Sequence, residues 1–361
     1  MKVIIAGGGT GGHLFPAVAL GEELRRERPA TQVLHVGTTN GFEAQWFPSS
    51  GLHYELFPVR GLRGKGVVTR MRAIAEFGAA LRRGHNLLRR FSPDLVVSAG
   101  GYASAPMAVA ALIGRVPLVL MEQNTRPGLS NRLLWRFARR ICTGFADTRT
   151  GLRGNRVAVT GNPLRLGFVP CELREIRSPT QILVLGGSTG AHRLNLGVIA
   201  AFKTLAKDVI KFEVVHQSGQ ADVELLRREY APLGVMARVI PFIVDMAAAL
   251  DRAGLIIARG GAMTVSEIAI AGRAAIFVPY PFHRDHQQEH NARVIERLGG
   301  AIIVDDDDRL AEKLTAILRE LLSNPSRVIE MGRKARQAGR PDAAAQIARI
   351  CFEVIEGDQA A

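Results

Sequence analysis

The chain has 361 residues and a net charge of +14, with 47% hydrophobic and 22% charged residues. That length allows two domains with sizeable cores, and that composition excludes wholesale disorder. Its three cysteines, Cys142, Cys171 and Cys351, lie far apart. They set neither a disulfide framework nor a metal-ligand spacing, which points to a reducing compartment.

The first apolar run, Val3 to Ala6, is too short for a signal peptide before glycine interrupts it. No stretch approaches the roughly 18 apolar residues of a membrane span, so a soluble cytoplasmic chain is expected. The basic excess asks for an anionic partner. At 6% aromatic residues, with no RNP-type motif or zinc knuckle, no nucleic acid is expected as that partner.

Val3–Ala6 reads as a buried strand, and Gly7, Gly9 and Gly12 then satisfy the G-x-G-x-x-G spacing that brings backbone close to a pyrophosphate. Pro16 suits a first helical turn, and a helix is expected over 17–28. The second strand, 32–36, ends in His35-Val-Gly-Thr38 with no acid to hold ribose hydroxyls, which argues against NAD. Gly61-Leu-Arg-Gly-Lys-Gly66 is a basic turn before a helical stretch, 67–83, in which Val67, Met71, Ile74, Gly78 and Leu81 share a face. The segment 132–140, if helical, gathers Arg132, Arg136, Arg139 and Arg140 within an arc of about 100°, with Leu133, Leu134, Trp135 and Phe137 around the rest. Both segments read either as core-packing amphipathic helices or as apolar anchors ringed by arginines facing anionic lipid.

Further strands are expected at 94–98, 116–121 and 157–160, with a glycine loop at Gly100–Ser104 entering a helix over 106–113. The strand–glycine loop–helix plan then restarts at Gln181-Ile-Leu-Val-Leu-Gly-Gly-Ser-Thr-Gly-Ala191, after a segment, 167–180, of linker composition. Strands at 211–216, 255–258 and 275–279 continue it, the first again without a terminal acid. The pattern predicts an α/β protein of two doubly wound parallel-sheet halves with a cleft between them.

His13 ends the first loop, either capping it or serving as a general base or anion contact. Thr264 and Glu267 have capping-box spacing; Glu267 either caps its own helix or supplies the missing ribose acid. Asn124 and Gln288 offer amides to sugar hydroxyls. Arg165, after Asn162-Pro163, and Ser188 are placed to meet a diphosphate. His283, His286 and His290 have helix-compatible spacing but no acidic partner pattern, so no metal is expected.

Read together, the loops resemble the MurG-type N-acetylglucosaminyltransferases of peptidoglycan synthesis, inverting enzymes of the two-Rossmann GT-B fold. The matching residues are Gly8-Gly-Thr-Gly-Gly-His13, Gly61–Gly66, Gly100-Gly-Tyr102 with Ser104, Glu122-Gln-Asn124, and Gly161-Asn-Pro163 with Arg165. They continue through Gly186-Gly-Ser188 with Gly190-Ala191, Phe242-Ile243 with Asp245-Met246, Thr264-Val-Ser-Glu267, and Gln287-Gln288 with Asn291-Ala292.

The resemblance implies transfer from UDP-GlcNAc to the MurNAc C4 hydroxyl of lipid I, without cofactor or metal, by a peripheral enzyme at an anionic cytoplasmic membrane face. It implies an acceptor- and membrane-facing domain over 1–163, with a final helix at 343–361 crossing back onto it, and a donor domain over 164–342. The donor would meet Ile243 (uracil), Glu267 (ribose), and Ser188, Met263 and Thr264 (diphosphate). The flanking Ala262, Val265 and Ser266 and the pair Gln287 and Gln288 complete that set. Asn124, Arg165, Thr10, Gly11 and Gly12 would also contact the donor, and His13, Gly100, Gly101, Tyr102 and Ser104 would face the acceptor, with His13 as base. Two departures stand out: Met121 where histidine is common before Glu-Gln-Asn, and Gly260 where serine is common, which removes one hydroxyl from the donor. Nearer alternatives within the fold are another lipid glycosyltransferase or a UDP-GlcNAc 2-epimerase.

Overall fold

The computed structural model describes residues 1–59, 67–148, 151, 156–165, 167–168, 180–187, 190–208, 210–283 and 285–359, leaving aside the side chains of 67–73 and 359. The basic turn Gly61–Gly66, Ser188, Cys171 and most of the expected linker lie outside the described residues. The chain forms two compact units, one of residues 1–166 with 341–361, the other of 167–340.

The first unit runs β1 (Lys2–Ala6), α1 (Gly11–Glu27), β2 (Gln32–Thr38), α2 (Glu43–Trp46), β3 (Tyr54–Phe57), α3 (Val67–Phe91), β4 (Leu95–Ser98), α4 (Gly101–Ile113), β5 (Leu118–Glu122), α5 (Leu129–Leu134), β6 (Arg140–Thr143) and β7 (Val157–Val159). Among the described residues its sheet is parallel, in the order β3-β2-β1-β4-β5-β6-β7. Val3, Ile4 and Ile5 are wholly buried because helices cover both faces.

The second unit runs β8 (Thr180–Leu185), α6 (His192–Leu205), β9 (Phe212–Gln217), α7 (Val223–Tyr230), β10 (Met236–Ile240), α8 (Met246–Arg252), β11 (Leu255–Ala258), α9 (Ala262–Ala271), β12 (Ala274–Phe277), α10 (Gln287–Glu296), β13 (Ala301–Ile303), α11 (Leu310–Leu322) and α12 (Pro325–Arg336). Its parallel sheet is ordered β10-β9-β8-β11-β12-β13. The last helix, α13 (Ala343–Gln359), belongs to the first unit, where Ile347, Cys351, Phe352 and Ile355 share a core with Val3, Leu20 and Leu24. Arg28 tethers it, pairing with Glu356 at 2.6 Å and lying 4.0 Å over the Phe352 ring.

In both sheets the strand order reverses beside the first strand, so loops leaving β1 and β4, or β8 and β11, diverge at the carboxyl edge where α/β folds bind ligands. Gly7–Gly12, Gly100, Gly186–Gly187 and Arg259–Gly261 all stand at these positions.

Several local expectations are corrected. Helix α1 starts at Gly11 rather than 17, which puts Pro16 inside it. Gly12 lies four residues before Pro16, so the missing N–H removes a bond only at the helix's first turn. Helix α4 likewise starts at Gly101, not 106. The segment 132–140 is not one helix: α5 ends at Leu134, a 3-10 turn spans Trp135–Phe137, and Arg140 opens β6. Ala138 leaves the 3-10 turn in extended backbone, at φ −73° and ψ 143°, and this ends the helical run. Arg139 and Arg140 turn to α13, pairing with Asp358 at 2.6 Å and Glu353 at 3.3 Å, so they leave the basic stripe.

Leu129, Leu133 and Phe137 are each about two-thirds exposed, beside Arg132 and Arg136. Helix α3 packs through Ala80, Gly84, Leu87 and Leu88, while Ile74 is exposed. Among the described residues no helix is long and apolar enough to cross a membrane.

Candidate functional site

In the first unit the glycine loop does not present an empty anion nest. Glu43, at the start of α2 and wholly buried, turns its carboxylate under the loop. Its Oε1 accepts from the Gly9 N–H at 2.9 Å and from the Thr38 N–H and hydroxyl, both at 2.8 Å; Oε2 lies 2.8 Å from the same Gly9 nitrogen. A Cβ at Gly8 or Gly41 would strike this carboxylate, so these two glycines are dictated by Glu43 rather than by a ligand. The acid absent from the end of β2 is therefore present a turn later, directed inward.

His13, the third residue of α1, is half-buried at the carboxyl edge of the sheet. Its Nδ1 is 3.0 Å from the Ala99 carbonyl and 3.2 Å from Gln123 Oε1. The ring lies on Gly100 and Gly101, whose φ of 82° and 79° and lack of Cβ allow the close approach. Tyr102, about one-third exposed, covers Gly9. Ser104 does not face a ligand: it is fully buried, accepting from Ser98 and donating to the Gly101 carbonyl, because α4 begins before it and turns it inward.

Glu122 is a buried hub. Its oxygens accept from the Asn124 N–H, the Asn124 amide, the Gly128 N–H and the Asn131 amide, at 2.9 to 3.2 Å. It shapes the loop that carries Gln123 and Asn124. Met121, at the departure before that motif, is buried in the core and offers no polar group. Thr10 is exposed and N-caps α1 without a side-chain bond, with Gly11 buried and Gly12 half-buried behind it. Arg165 falls in the first unit, its guanidinium 4.3 Å over the Phe15 ring. Nearby Glu22 has its carboxyl pushed up by burial, partly offset by Arg25 and Arg165.

In the second unit the equivalent loop rests on the side chain of Gln217. Gln217 donates to the Gly187 carbonyl at 2.8 Å and accepts from the Ile243 N–H at 3.1 Å, tying the loop to the buried Ile243. Below it Asn195 donates to Asp222 at 2.7 Å and to the Ser218 carbonyl at 2.9 Å, so its Oδ1 must accept from His216 Nε2 at 3.1 Å. Tyr230 then donates to His216 Nδ1 at 2.9 Å. Burial drops the His216 pKa to about 3 and pushes the Tyr230 phenol up. Asp222 also holds His192, the first residue of α6, at 2.9 Å.

Helix α9 is N-capped by Gly261 without a side-chain bond. Glu267 sits six residues in, so it is not the N3 partner of a capping box, and the capping reading of Thr264 and Glu267 falls. Met263, Thr264 and Glu267 are half-buried, whereas Ala262, Val265 and Ser266 face the core. The opening N–H groups of α9 have no partner earlier in the helix and suit an anion.

Gln288 Oε1 accepts from the Tyr280 N–H at 2.9 Å, and Gln287 opens α10 beside it. A Cβ at Gly260 would strike the Gln288 carbonyl, so α10 occupies the space a serine side chain would use. Arg259 is likewise committed, donating to the Val278 carbonyl and to Asp306, both at 2.8 Å. Of the three histidines, only His290 lies within α10, and His286 precedes it at φ 48°, so they share no helix face. Among the described residues no group of three metal-ligating side chains converges.

Residues 3–143 match the glycosyltransferase family 28 N-terminal domain, and residues 181–347 match its C-terminal domain. The chain is 41% identical, over 99% of its length and all of the relative's, to the UDP-N-acetylglucosamine--N-acetylmuramyl-(pentapeptide) pyrophosphoryl-undecaprenol N-acetylglucosamine transferase of Syntrophotalea carbinolica. It is 38% identical to the protein of the same name from Myxococcus xanthus, over 98% of this chain and 93% of that one. Among solved structures it is similar to Acinetobacter baumannii MurG, with TM-score 0.78 and 31% identity over 97% of this chain and 98% of that one. A UDP-GlcNAc 2-epimerase from Neisseria meningitidis shares the fold alone, with TM-score 0.68 and 14% identity over 98% of this chain and 100% of that one.

Proposed function

The chain belongs to the MurG-type branch of glycosyltransferase family 28, and we propose that it transfers N-acetylglucosamine from UDP-N-acetylglucosamine to the MurNAc C4 hydroxyl of lipid I, giving lipid II and UDP. The full-length likeness to transferases of that name carries the reading.

In the second unit the donor's uracil is assigned to the Ile243 backbone. That residue's N–H is engaged by Gln217, which leaves its carbonyl for a ring N–H. Glu267 is assigned the ribose, Ser188 and the opening amides of α9 the diphosphate, and Gln287 and Gln288 the sugar. Thr10, Gly11, Gly12, Asn124 and Arg165 are the first unit's residues assigned to the donor. Gly100, Gly101 and Tyr102 are assigned to the acceptor.

The acceptor oxygen attacks the anomeric carbon as the bond to the β-phosphate oxygen breaks, with inversion. His13 Nε2 takes the hydroxyl proton. Backbone N–H groups at a helix N-terminus meet the charge growing on the leaving UDP. The exposed Ile74, Leu129, Leu133 and Phe137, with Arg132 and Arg136, form the surface assigned to the anionic cytoplasmic face of a bacterial membrane.

The test is incubation with labelled UDP-GlcNAc and a lipid I analogue, with chelator and no added metal. Labelled disaccharide is expected; its absence under conditions where UDP-GlcNAc binds overturns the assignment. His13→Ala is expected to lower turnover about 10²- to 10⁴-fold with donor affinity kept. Unchanged turnover removes His13 as the base.

A further inference from the structure

We infer that Gln123 and the Ala99 carbonyl lock His13 in the one neutral tautomer able to act as a base toward the acceptor, which makes Gln123 a positioning residue of the reaction. The inference rests on the reading of His13 as base.

Donors and acceptors around the ring decide the tautomer. The Ala99 oxygen only accepts, and it lies 3.0 Å from His13 Nδ1 and 2.9 Å from Gln123 Nε2. Since a carbonyl donates nothing, the Gln123 group facing it must be the NH2 end. That orientation turns Gln123 Oε1, a second pure acceptor, to within 3.2 Å of the same Nδ1. With the opposite tautomer, the Nδ1 lone pair would confront two oxygens. The proton therefore resides on Nδ1, shared between them, and the lone pair is on Nε2. Among the described residues Nε2 has no hydrogen-bond partner, and it is not among the buried unpartnered atoms, so it is open to a ligand.

Gln123 is itself well held. It is almost wholly buried, and its backbone carbonyl accepts from Asn162 at 3.0 Å. The Asn162 of the Gly161-Asn-Pro163 motif thus supports the amide that orients the histidine. Both partners of the ring are neutral. When Nε2 takes the acceptor's proton, the resulting imidazolium keeps the same Nδ1–H bonds, so no group must turn during the transfer. A carboxylate in place of the Gln123 amide would favour the charged ring and hold Nε2 protonated to higher pH.

The test uses the full chain labelled with ¹⁵N-histidine, with the His13 resonances identified by their loss in His13→Ala. Wild type is expected to show a protonated Nδ1 and an unprotonated Nε2 once the ring is neutral; the reverse pattern overturns the inference without any variant having to fold. Gln123→Glu is expected to move the acidic limb of the kcat–pH profile up by about one pH unit or more, with the KM for UDP-GlcNAc within twofold of wild type. A limb that stays in place, in a folded variant, overturns the positioning role. Should His13→Ala turn over normally while the tautomer is as described, the assignment of the base fails but the lock stands.

Discussion

Glu43 makes the first glycine loop a folded element rather than a flexible clamp, and replacing it tests that. In Glu43→Ala three donors lose their acceptor: the Gly9 N–H, the Thr38 N–H and the Thr38 hydroxyl. A buried donor left unpaired costs about 1–3 kcal/mol, so the sum begins near 3 kcal/mol, and water admitted to the space keeps it at that low end. Glu43→Gln retains one oxygen for these donors but loses the charge, at about 1–2 kcal/mol. Amide exchange read by mass spectrometry should show 7–14 and 37–44 deprotected in Glu43→Ala and partly protected in Glu43→Gln. The acceptor kcat/KM should fall with them, while the Kd for UDP stays within about twofold, since its uracil, ribose and diphosphate are assigned to the other unit. Gly8→Ala provides a control: its Cβ strikes the carboxylate in wild type and is relieved of that clash in Glu43→Ala, so the two changes together should cost less than their sum. Strict additivity, unchanged exchange, or an equal loss of UDP affinity would refute the reasoning.

Three further outcomes are expected. Burial lowers His35 and His216 to about 3, below the roughly 6.5 of an unfolded histidine, so the unfolded chain takes up protons first. Stability contributed by the neutral rings is then whole above pH about 6.5 and lost toward pH 3, by up to about 1.4 kcal/mol per pH unit for each ring. Urea midpoints between pH 7 and 5 should flatten in His35→Leu, which also removes two buried unpartnered nitrogens, and an unaltered slope would contradict this. Asp306→Ala leaves the buried Arg259 without its carboxylate and should cost about 3–5 kcal/mol, seen as a lower melting temperature; an unchanged melt would show the pair to be dispensable. Leu133→Asp with Phe137→Asp should abolish sedimentation with anionic vesicles at low salt, whereas Arg139→Ala, whose guanidinium is paired with Asp358, should leave it nearly intact; the opposite ranking would move the surface elsewhere.

The strands read most clearly from sequence are those buried on both faces. Runs such as Val3–Ala6 and Leu255–Ala258 are continuous, apolar and closed by glycine or arginine turns. The less legible strands β3 and β10, at sheet edges, carry mixed burial and polar residues, so neither alternation nor an apolar run marks them, and β13 is apolar but only three residues long. The strand β6 was concealed differently. Its leading arginine continues a helical spacing begun at Arg132, and the ladder that pairs 140–143 with β5 and β7 is what breaks that spacing. At the site, His13, Asn124 and Gln288 stood out by residue type and position. Gln123, Gln217 and Glu43 did not, because their work is to orient other groups, and that depends on contacts the local sequence does not display.

The two glycine loops show how much such contacts decide. Both follow the first strand of a doubly wound sheet, and both lead to a helix with histidine at or near its start. Spacing alone gives them equal claims to a diphosphate. The difference lies in what each loop rests upon. Beneath the first is a carboxylate, and the Gly9 N–H that a phosphate oxygen would seek is already bonded to it; a second anion there would meet both an occupied donor and a like charge. The carbonyl of Gly187 in the second loop rests on the neutral amide of Gln217, and the helix that follows β11 opens without an acidic residue in its first turn. The group that each loop rests on, rather than glycine spacing, supports the proposal that UDP sits in the second unit. The first loop is instead tied to Glu43, and a tied loop suits the placement of His13, whose Nδ1 is pinned by the Ala99 carbonyl and Gln123 and whose Nε2 is the atom proposed to take a proton.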